Sequence, residues 1–156
     1  MATSKRARAR IRLLATAILV AAPLAGAAVA AHAGAVDVAV TGVPDDRGHV
    51  RVELCTRSTF LTEDCPYQGA APARMGATLV RINNVAPGEY AAQAFHDVTD
   101  GGVVHQNLLG IPNERIGFSN DAPIHLRGPR FMEAAFVVGR EARSITLRVR
   151  RLFHAD

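Results

Sequence analysis

The sequence predicts an all-β fold, an antiparallel β-sandwich with one long loop. Short segments in which apolar and polar residues alternate recur between residues 36 and 153, the pattern of strands with one buried face. Turn-forming Pro, Gly, Asp and Asn residues separate these segments. No segment carries the roughly 3.6-residue repeat of an amphipathic helix. Short strands at regular spacing are typical of sandwiches.

The first two strands are predicted at residues 36–41 and 50–55. In each, apolar residues, mostly valine, occupy every other position. Residues 44–48 between them contain Pro, Asp and Gly, which favour a turn. Two alternating strands around such a turn predict a β-hairpin.

Four further strands complete the predicted sandwich. Residues 56–76 look irregular, since they combine a Cys-Pro pair with several small residues. A Pro-Gly turn signal precedes the fourth strand. Residues 133–135 are compatible with a helical turn, but the Phe-Val-Val that follows favours a strand. These strands are predicted at residues 77–82, 89–95, 131–138 and 144–153.

A long loop rich in Gly, Asn, Asp and Pro is predicted over residues 96–130. Structureless loops of this length are uncommon in compact domains and are often functional. Binding residues also concentrate on loops. We therefore expect any function to lie in this segment.

Residues 1–33 are predicted to be a cleavable signal peptide, and residues 34–156 a single mature domain. A basic stretch precedes an apolar stretch that ends in small residues, which suit cleavage after Ala33 or Ala30. An uncleaved membrane anchor is the alternative, but a Pro and a Gly interrupt the apolar stretch. We expect a periplasmic or secreted protein with no stable membrane insertion after signal cleavage.

The charge of the chain is unevenly distributed. Five of its 18 basic residues lie in the first twelve positions, whereas all 14 acidic residues come later. The segment after Ala33 therefore carries 13 arginines against 14 acids. Because nucleic-acid binding usually requires a basic surface, we expect no nucleic-acid partner.

Cys55 and Cys65 are the only cysteines in the chain, and export would place them in an oxidising compartment. An even count there favours a disulfide. It would close a short loop and stabilise the fold by about 2–3 kcal/mol in the chain-entropy model. The spacing fits neither a C-x-x-C redox pair nor a zinc knuckle.

The segment that begins at Asp97 partly matches a calcium-binding loop. Asp97 stands at the first position and Gly102 at the sixth, where such loops turn sharply. Thr99 and Gly101 stand where oxygen-rich side chains are usual. A turn in which Asp satisfies the backbone is the alternative. Otherwise no cofactor is expected, and the candidate metal ligands are Asp97, Asp100, His105 and Asn107.

Five short motifs occur in order between residues 87 and 134. They are Pro87-Gly88-Glu89-Tyr90, Phe95-His96-Asp97, Leu109-Gly110-Ile111-Pro112-x-Glu114, Gly117-Phe118-Ser119-Asn120 and Gly128-Pro129-x-Phe131-x-x-Ala134. With these motifs, residues 36–151 resemble the DUF2141 family, exported bacterial proteins of unknown function. The resemblance implies a transthyretin-like or immunoglobulin-like sandwich and no established activity.

In the DUF2141 family, which this sequence resembles, the loop that corresponds to the segment beginning at Asp97 usually has the pattern D-x-N-x-N-G-x-x-D-x-N. Here Asp97, Gly102 and Asn107 match that pattern. The inner asparagines are replaced at 99 and 101, and the second Asp is replaced by His105. Calcium binding implied by the family is therefore weakened in this chain.

Three functional hypotheses follow. The first is a non-catalytic binding or interaction module of the cell envelope with a protein or glycan ligand. The second is a metal-dependent hydrolase that uses His96, Asp97, His105 and Glu114 of the 96–120 loop. The third is a structural envelope domain. The sequence favours the first, because no Ser-His-acid order or G-x-S-x-G elbow supports a catalytic set.

Overall fold

The computed structural model describes residues 33–104, 114–125 and 128–151. Residues 1–32 of the predicted signal peptide, His105 and Asn107 lie outside these residues. The described elements are β1 (Gly34–Val43), β2 (His49–Cys55), β3 (Tyr67–Pro72), β4 (Gly76–Val85), β5 (Gly88–Asp97), β6 (Ile116–Phe118), a 3₁₀ turn (Ser119–Asp121), α1 (Phe131–Ala134), β7 (Ala135–Val138) and β8 (Arg143–Arg148). None of the helical segments in these residues is long enough to cross a bilayer.

Two sheets pack face to face, which confirms the predicted all-β sandwich. One sheet has three strands in the order β4-β1-β8. The other has five, in the order β3-β2-β5-β6, with β7 also paired to β5. All of these pairings are antiparallel except β1 with β8, which is parallel.

The predicted hairpin between β1 and β2 is wrong. β1 lies between β4 and β8, whereas β2 lies between β3 and β5 in the other sheet. The alternating pattern of each strand buries one face, and both faces point into the same core. Alternation specifies which face is buried and not which strand is the partner. Residues 44–48 therefore cross between sheets instead of closing a hairpin.

Three other predicted segments differ from the structure. Residues 56–76, predicted irregular, contain β3, an edge strand built from Tyr, Gln, Gly, Ala and Pro and lacking any β-branched residue. The strand predicted at 131–138 begins as α1, where the Arg130 amide donates to Glu133 Oε2 at 2.9 Å. This bond caps the first turn, and the strand starts only at Ala135. The predicted long loop contains β6.

The apolar residues form two clusters. The main core lies between the sheets and is dominated by buried valines. A second group, the outer cluster, lies on the opposite face of the five-stranded sheet and includes Phe60, which meets Phe118 and Phe131 edge-on. The outer cluster is formed by Phe60, Ala91, Ile116, Phe118, Ala122, Ile124, Phe131, Ala134 and Ala135. It covers one part of that face and leaves the rest open.

β6 links the two sheets along one edge. Ile116 and Arg150 exchange both backbone hydrogen bonds, at 3.0 and 2.9 Å. Gly117 lies so close to β8 that a Cβ at this position would come within 2.2 Å of the Arg148 carbonyl oxygen. Only glycine allows this approach between the strands.

Candidate functional site

The end of β5 places His96 and Asp97 on opposite faces of the strand, because successive strand residues alternate. Both side chains are buried, with relative exposures of 2% and 1%. His96 Nε2 lies 2.7 Å from the Arg47 carbonyl oxygen, in the segment that joins the two sheets. Asp97 instead meets Arg51 on the outer face. The two side chains do not converge on one site.

The Asp97 carboxylate holds a turn together. Arg51 Nε donates to Oδ2 at 2.7 Å, the Gly102 amide to Oδ2 at 2.8 Å and the Gly101 amide to Oδ1 at 3.1 Å. Burial alone would raise the pKa of Asp97, but the hydrogen bonds from Arg51, Gly102 and Gly101 outweigh it and leave that pKa below its usual value. This geometry is that of an Asp-anchored turn.

The other candidate metal ligands are only partly placed. Asp100 is exposed, has a φ of 56°, and its Oδ1 contacts His49 Nδ1. His105 and Asn107 lie outside the described residues. Asp97 and Asp100 share one loop, but both oxygens of Asp97 already accept hydrogen bonds from the protein. Metal binding by this loop stays a prediction.

The predicted disulfide between Cys55 and Cys65 is confirmed. It ties residues 56–64, here called the disulfide loop, to the end of β2. Gln93 of β5 also holds this loop, since its Oε1 accepts from the Leu61 amide at 3.2 Å and its Nε2 donates to the Thr62 carbonyl at 2.9 Å. The loop therefore stands as a wall on the outer face of the five-stranded sheet.

A cavity of about 340 Å³ lies beside the outer cluster, on the same face. Its floor is a row of three polar residues on adjacent strands: Gln68 and Gln93 both pair with Glu53 across the sheet. Apolar side chains form most of its walls. The lining, here called the outer cleft, consists of Glu53, Leu61, Glu63, Gln68, Gln93, Ala94, Phe95, Gly102, Val103, Val104, Ile116 and Phe118.

Glu53 is the central polar group of the outer cleft. It is half-buried, and Gln93 Nε2 donates to its Oε2 at 2.6 Å. Burial raises the pKa of Glu53, the Gln93 hydrogen bond opposes that rise, and the negative charge of Glu63 adds to it. Within the described part of the chain, Glu53 Oε1 has no hydrogen-bond partner.

Three neighbouring strands contribute one residue each to this floor, and the sequence alone does not predict that these strands are neighbours. Glu53 stands at a polar position of an alternating strand, as many solvent-facing residues do. Gln68 lies in β3, which the sequence pattern does not predict. Residues 68, 53 and 93 are neighbours only because of the register in which β3, β2 and β5 pair. Strand patterns in a sequence do not by themselves determine that register.

A second, smaller cavity of about 240 Å³ lies at the end of the sandwich, beside His96. Glu114 also lines it, together with Asp45 and Arg47. The hydrogen bonds from Arg47 lower the pKa of Asp45 to about 2. The structure thus brings together two residues of the hydrolase hypothesis, His96 and Glu114, while Asp97 points to the other face of β5.

The sequence model of a bacterial family, described as "Uncharacterized protein conserved in bacteria (DUF2141)", matches residues 38–146, more than half of the chain. The chain belongs to the DUF2141 family. No curated protein and no solved structure matches it. The implied likeness to transthyretin or immunoglobulin domains therefore stays an expectation.

The Gly117-Phe118-Ser119-Asn120 motif has a structural role. Ser119 Oγ accepts from the Ala92 amide at 2.9 Å and also donates to the Ala134 carbonyl. Asn120 Nδ2 donates to the Ala135 carbonyl at 2.9 Å. These bonds fasten α1 and β7 to β5. This motif therefore builds the scaffold. The polar floor of the outer cleft lies outside all five motifs, whereas Phe95 and Phe118 of two motifs line its walls.

Proposed function

We propose that this DUF2141 protein is a non-catalytic, exported binding module that holds a small ligand in the outer cleft. The observation that carries the proposal is the half-buried carboxylate of Glu53 at the centre of a cavity with mainly apolar walls. The cavity volume of about 340 Å³ lies in the range of small-molecule sites. A few convergent polar groups on an apolar surface are what such sites use for orientation.

The environment of Glu53 supports a binding role. Its raised pKa means that the folded state disfavours the charge this residue carries at neutral pH. A glutamine at this position would make the same contact with Gln93 at lower cost. Residues that lower stability while lining a cleft are characteristic of functional sites. The residue therefore fits ligand binding better than a purely structural role.

The chemistry of the lining supports binding over catalysis. Among the described residues, the lining holds no His, Cys, Ser or Thr, so a hydroxyl or thiol nucleophile activated by a histidine base has no members there. Its titratable groups are two glutamates, and the other polar side chains are glutamine amides. This set can orient a ligand by hydrogen bonds.

The exported location forms part of the proposal. A disulfide between Cys55 and Cys65 is typical of oxidising compartments. The signal peptide predicted over residues 1–33 is the route to such a compartment. Mass spectrometry of the protein recovered from the cell envelope tests this, and the expected new N-terminus is Gly34, or Ala31 where cleavage follows Ala30.

A fragment screen by NMR of the amide signals tests the binding role, with neutral, cationic and anionic compounds in equal numbers. Hits are expected to shift the amides of residues 93–95, 102–104 and 116–118. Gln68→Trp, which places a bulky ring at the edge of the floor, is expected to abolish these shifts. Leu79→Trp, on an exposed position of the other sheet, is the matched control.

Two results would contradict the proposal. One is a screen in which no fragment shifts the amides around the cleft. The other is a set of hits that Gln68→Trp leaves unchanged. The first would favour the structural envelope domain, and the second would show that the fragments bind outside the outer cleft.

A further inference from the structure

We propose that the ligand of the outer cleft is a small organic cation, a protonated amine on an apolar body, whose N–H group donates to Glu53. This inference rests on the proposed function and names the class of ligand. Three observations carry it: the charge of the lining, the hydrogen-bond acceptors left open at the floor, and the apolar walls.

Both charged residues of the described lining are acidic. Glu53 and Glu63 are its charged members, and no Lys, Arg or His belongs to the described lining. Arg51 precedes Glu53 by two positions on the same face of β2 and lines a neighbouring cavity together with Glu53 and Gln68. Its Nε is bound to Asp97 at 2.7 Å, so its charge is paired with that carboxylate. The chain after residue 33 has nearly equal numbers of acidic and basic residues, so this local imbalance is a property of the cleft.

The hydrogen-bonding groups of the floor leave acceptors open. Gln93 uses its Nε2 on Glu53 and Thr62 and its Oε1 on Leu61. Gln68 Nε2 donates to the Glu63 carbonyl at 3.4 Å. Among the described contacts, the oxygens without a partner are Glu53 Oε1 and Gln68 Oε1. A ligand that matches this floor must supply donors.

A cation satisfies Glu53 better than a neutral donor does. A charge-assisted hydrogen bond is roughly twice as strong as a neutral one. A bound ammonium would also offset the burial that disfavours the Glu53 carboxylate. Phe95 and Phe118 also line the cleft and are almost fully buried, so they add apolar surface against which the body of such a ligand can pack.

A metal ion does not fit the same position. Glu53 lies near Cys55 and Cys65, and the ligand atoms of the three lie within 4.8 Å of one another. Both sulfur atoms are consumed by the disulfide, so no thiolate is present to bind metal. One carboxylate with glutamine neighbours falls well short of the six to eight oxygens of a calcium site.

Three probes of matched size test the inference: 2-phenylethylamine as the cation, 2-phenylethanol as the neutral compound and phenylacetate as the anion. Binding is measured by NMR titration of the purified protein at pH 7 and low salt. The amine is expected to bind at least about tenfold more tightly than the alcohol, as for a hydrogen bond to a charged group. The carboxylate is expected not to bind.

The substitution Glu53→Gln tests whether the Glu53 carboxylate is the group that binds the cation. We expect it to remove the preference for the amine and to leave the affinity for the alcohol unchanged. Its melting temperature is expected to equal or exceed that of the wild type, which shows that the variant is folded. Glu141→Gln, an exposed carboxylate between β7 and β8, is the matched control and is expected to keep the preference.

A second measurement does not depend on a variant. The Glu53 side-chain carboxyl carbon is titrated by NMR with and without saturating 2-phenylethylamine, with Glu63 and Arg51 as the neighbouring charges. The amine is expected to lower the pKa of Glu53. An unchanged pKa under saturation would overturn the inference.

The outcomes separate this inference from the proposed function. If the alcohol binds as well as the amine, or if no probe binds, the cation inference is overturned, while the broader fragment screen still decides whether the cleft binds small molecules. If N-acetyl-lysine methylamide binds and the aromatic amine does not, the cation belongs to a protein partner, and the small-molecule form of the inference is wrong.

Discussion

Two carboxylates on the outer face of the five-stranded sheet show how context sets the role of a residue. Asp97 receives hydrogen bonds from Arg51 and two backbone amides, and its pKa falls although it is buried. Glu53 receives a hydrogen bond from Gln93, and burial raises its pKa. The first charge therefore stabilises the folded protein at neutral pH, and the second destabilises it. We accordingly assign Asp97 to the scaffold and Glu53 to the ligand.

Asp97→Asn is expected to destabilise the protein by about 2 kcal/mol at pH 7, because hydrogen bonds to a charged, buried group are lost. A lowered folded-state pKa stabilises above the unfolded pKa of about 3.9 and is lost as the pH falls through the folded value. The difference in free energy of unfolding between the variant and the wild type should thus be largest at neutral pH and should shrink below about pH 4. Urea denaturation across this range measures it.

Asp64→Asn, at an exposed carboxylate, is the control for this experiment and is expected to stay within about 0.5 kcal/mol of the wild type. An Asp97→Asn variant as stable as the control at pH 7 would show that the turn does not depend on the charge.

At the scale of elements, sequence patterns identify strands better than they identify partners. The alternating valines of β1 and β2 predict both strands and their buried faces, yet the two strands lie in different sheets. β3 and β6 have no pattern to detect, since one is Ala- and Gly-rich and the other has three residues. The floor of the outer cleft depends on β3, so it was beyond prediction for the same reason.

The loop that follows β5 gives a test of the metal prediction. Because both Asp97 oxygens accept hydrogen bonds from Arg51 and the Gly101 and Gly102 amides, we expect neither calcium nor EDTA to change the melting temperature. The measurement is the melting temperature with calcium and with EDTA, each compared with buffer alone. A calcium site would raise stability by about 2.7 kcal/mol at a hundredfold excess over Kd. Such a shift, abolished by Asp97→Ala, would establish the predicted site.

The disulfide loop is the element that forms one wall of the outer cleft. Replacing both Cys55 and Cys65 with Ala is expected to reduce the free energy of unfolding by about 2–3 kcal/mol. We also expect weaker ligand binding, since Leu61 and Glu63 lose one of the two attachments that fix their wall. Urea denaturation and titration with 2-phenylethylamine measure the two effects.

Val137→Ala, an exposed position on β7 away from the cleft, controls for a general loss of apolar surface and is expected to leave binding unchanged. A double cysteine variant that loses stability but keeps full affinity would show that Gln93 alone holds the wall.

At the scale of the whole molecule, the outer cleft exists because the protein has two apolar clusters of unequal extent. The main core fills the space between the sheets. The outer cluster covers only part of the outer face, and the cleft begins where it ends, at Ile116 and Phe118. Both residues belong to β6, so the strand that links the sheets also supports the cleft.

This dependence predicts the effect of Gly117→Ala. The added methyl group would meet the Arg148 carbonyl oxygen of the β8 backbone at 2.2 Å, and β6 must move away from β8 to accommodate it. Overpacking of this kind costs about 1–3 kcal/mol.

Gly139→Ala, where an added Cβ meets nothing within 4 Å, is the matched control. Because Ile116 and Phe118 would move with Gly117, we expect the substitution to reduce both stability and ligand affinity, measured by urea denaturation and NMR titration. Equal behaviour of the two alanine variants would mean that the contact between β6 and β8 supports neither.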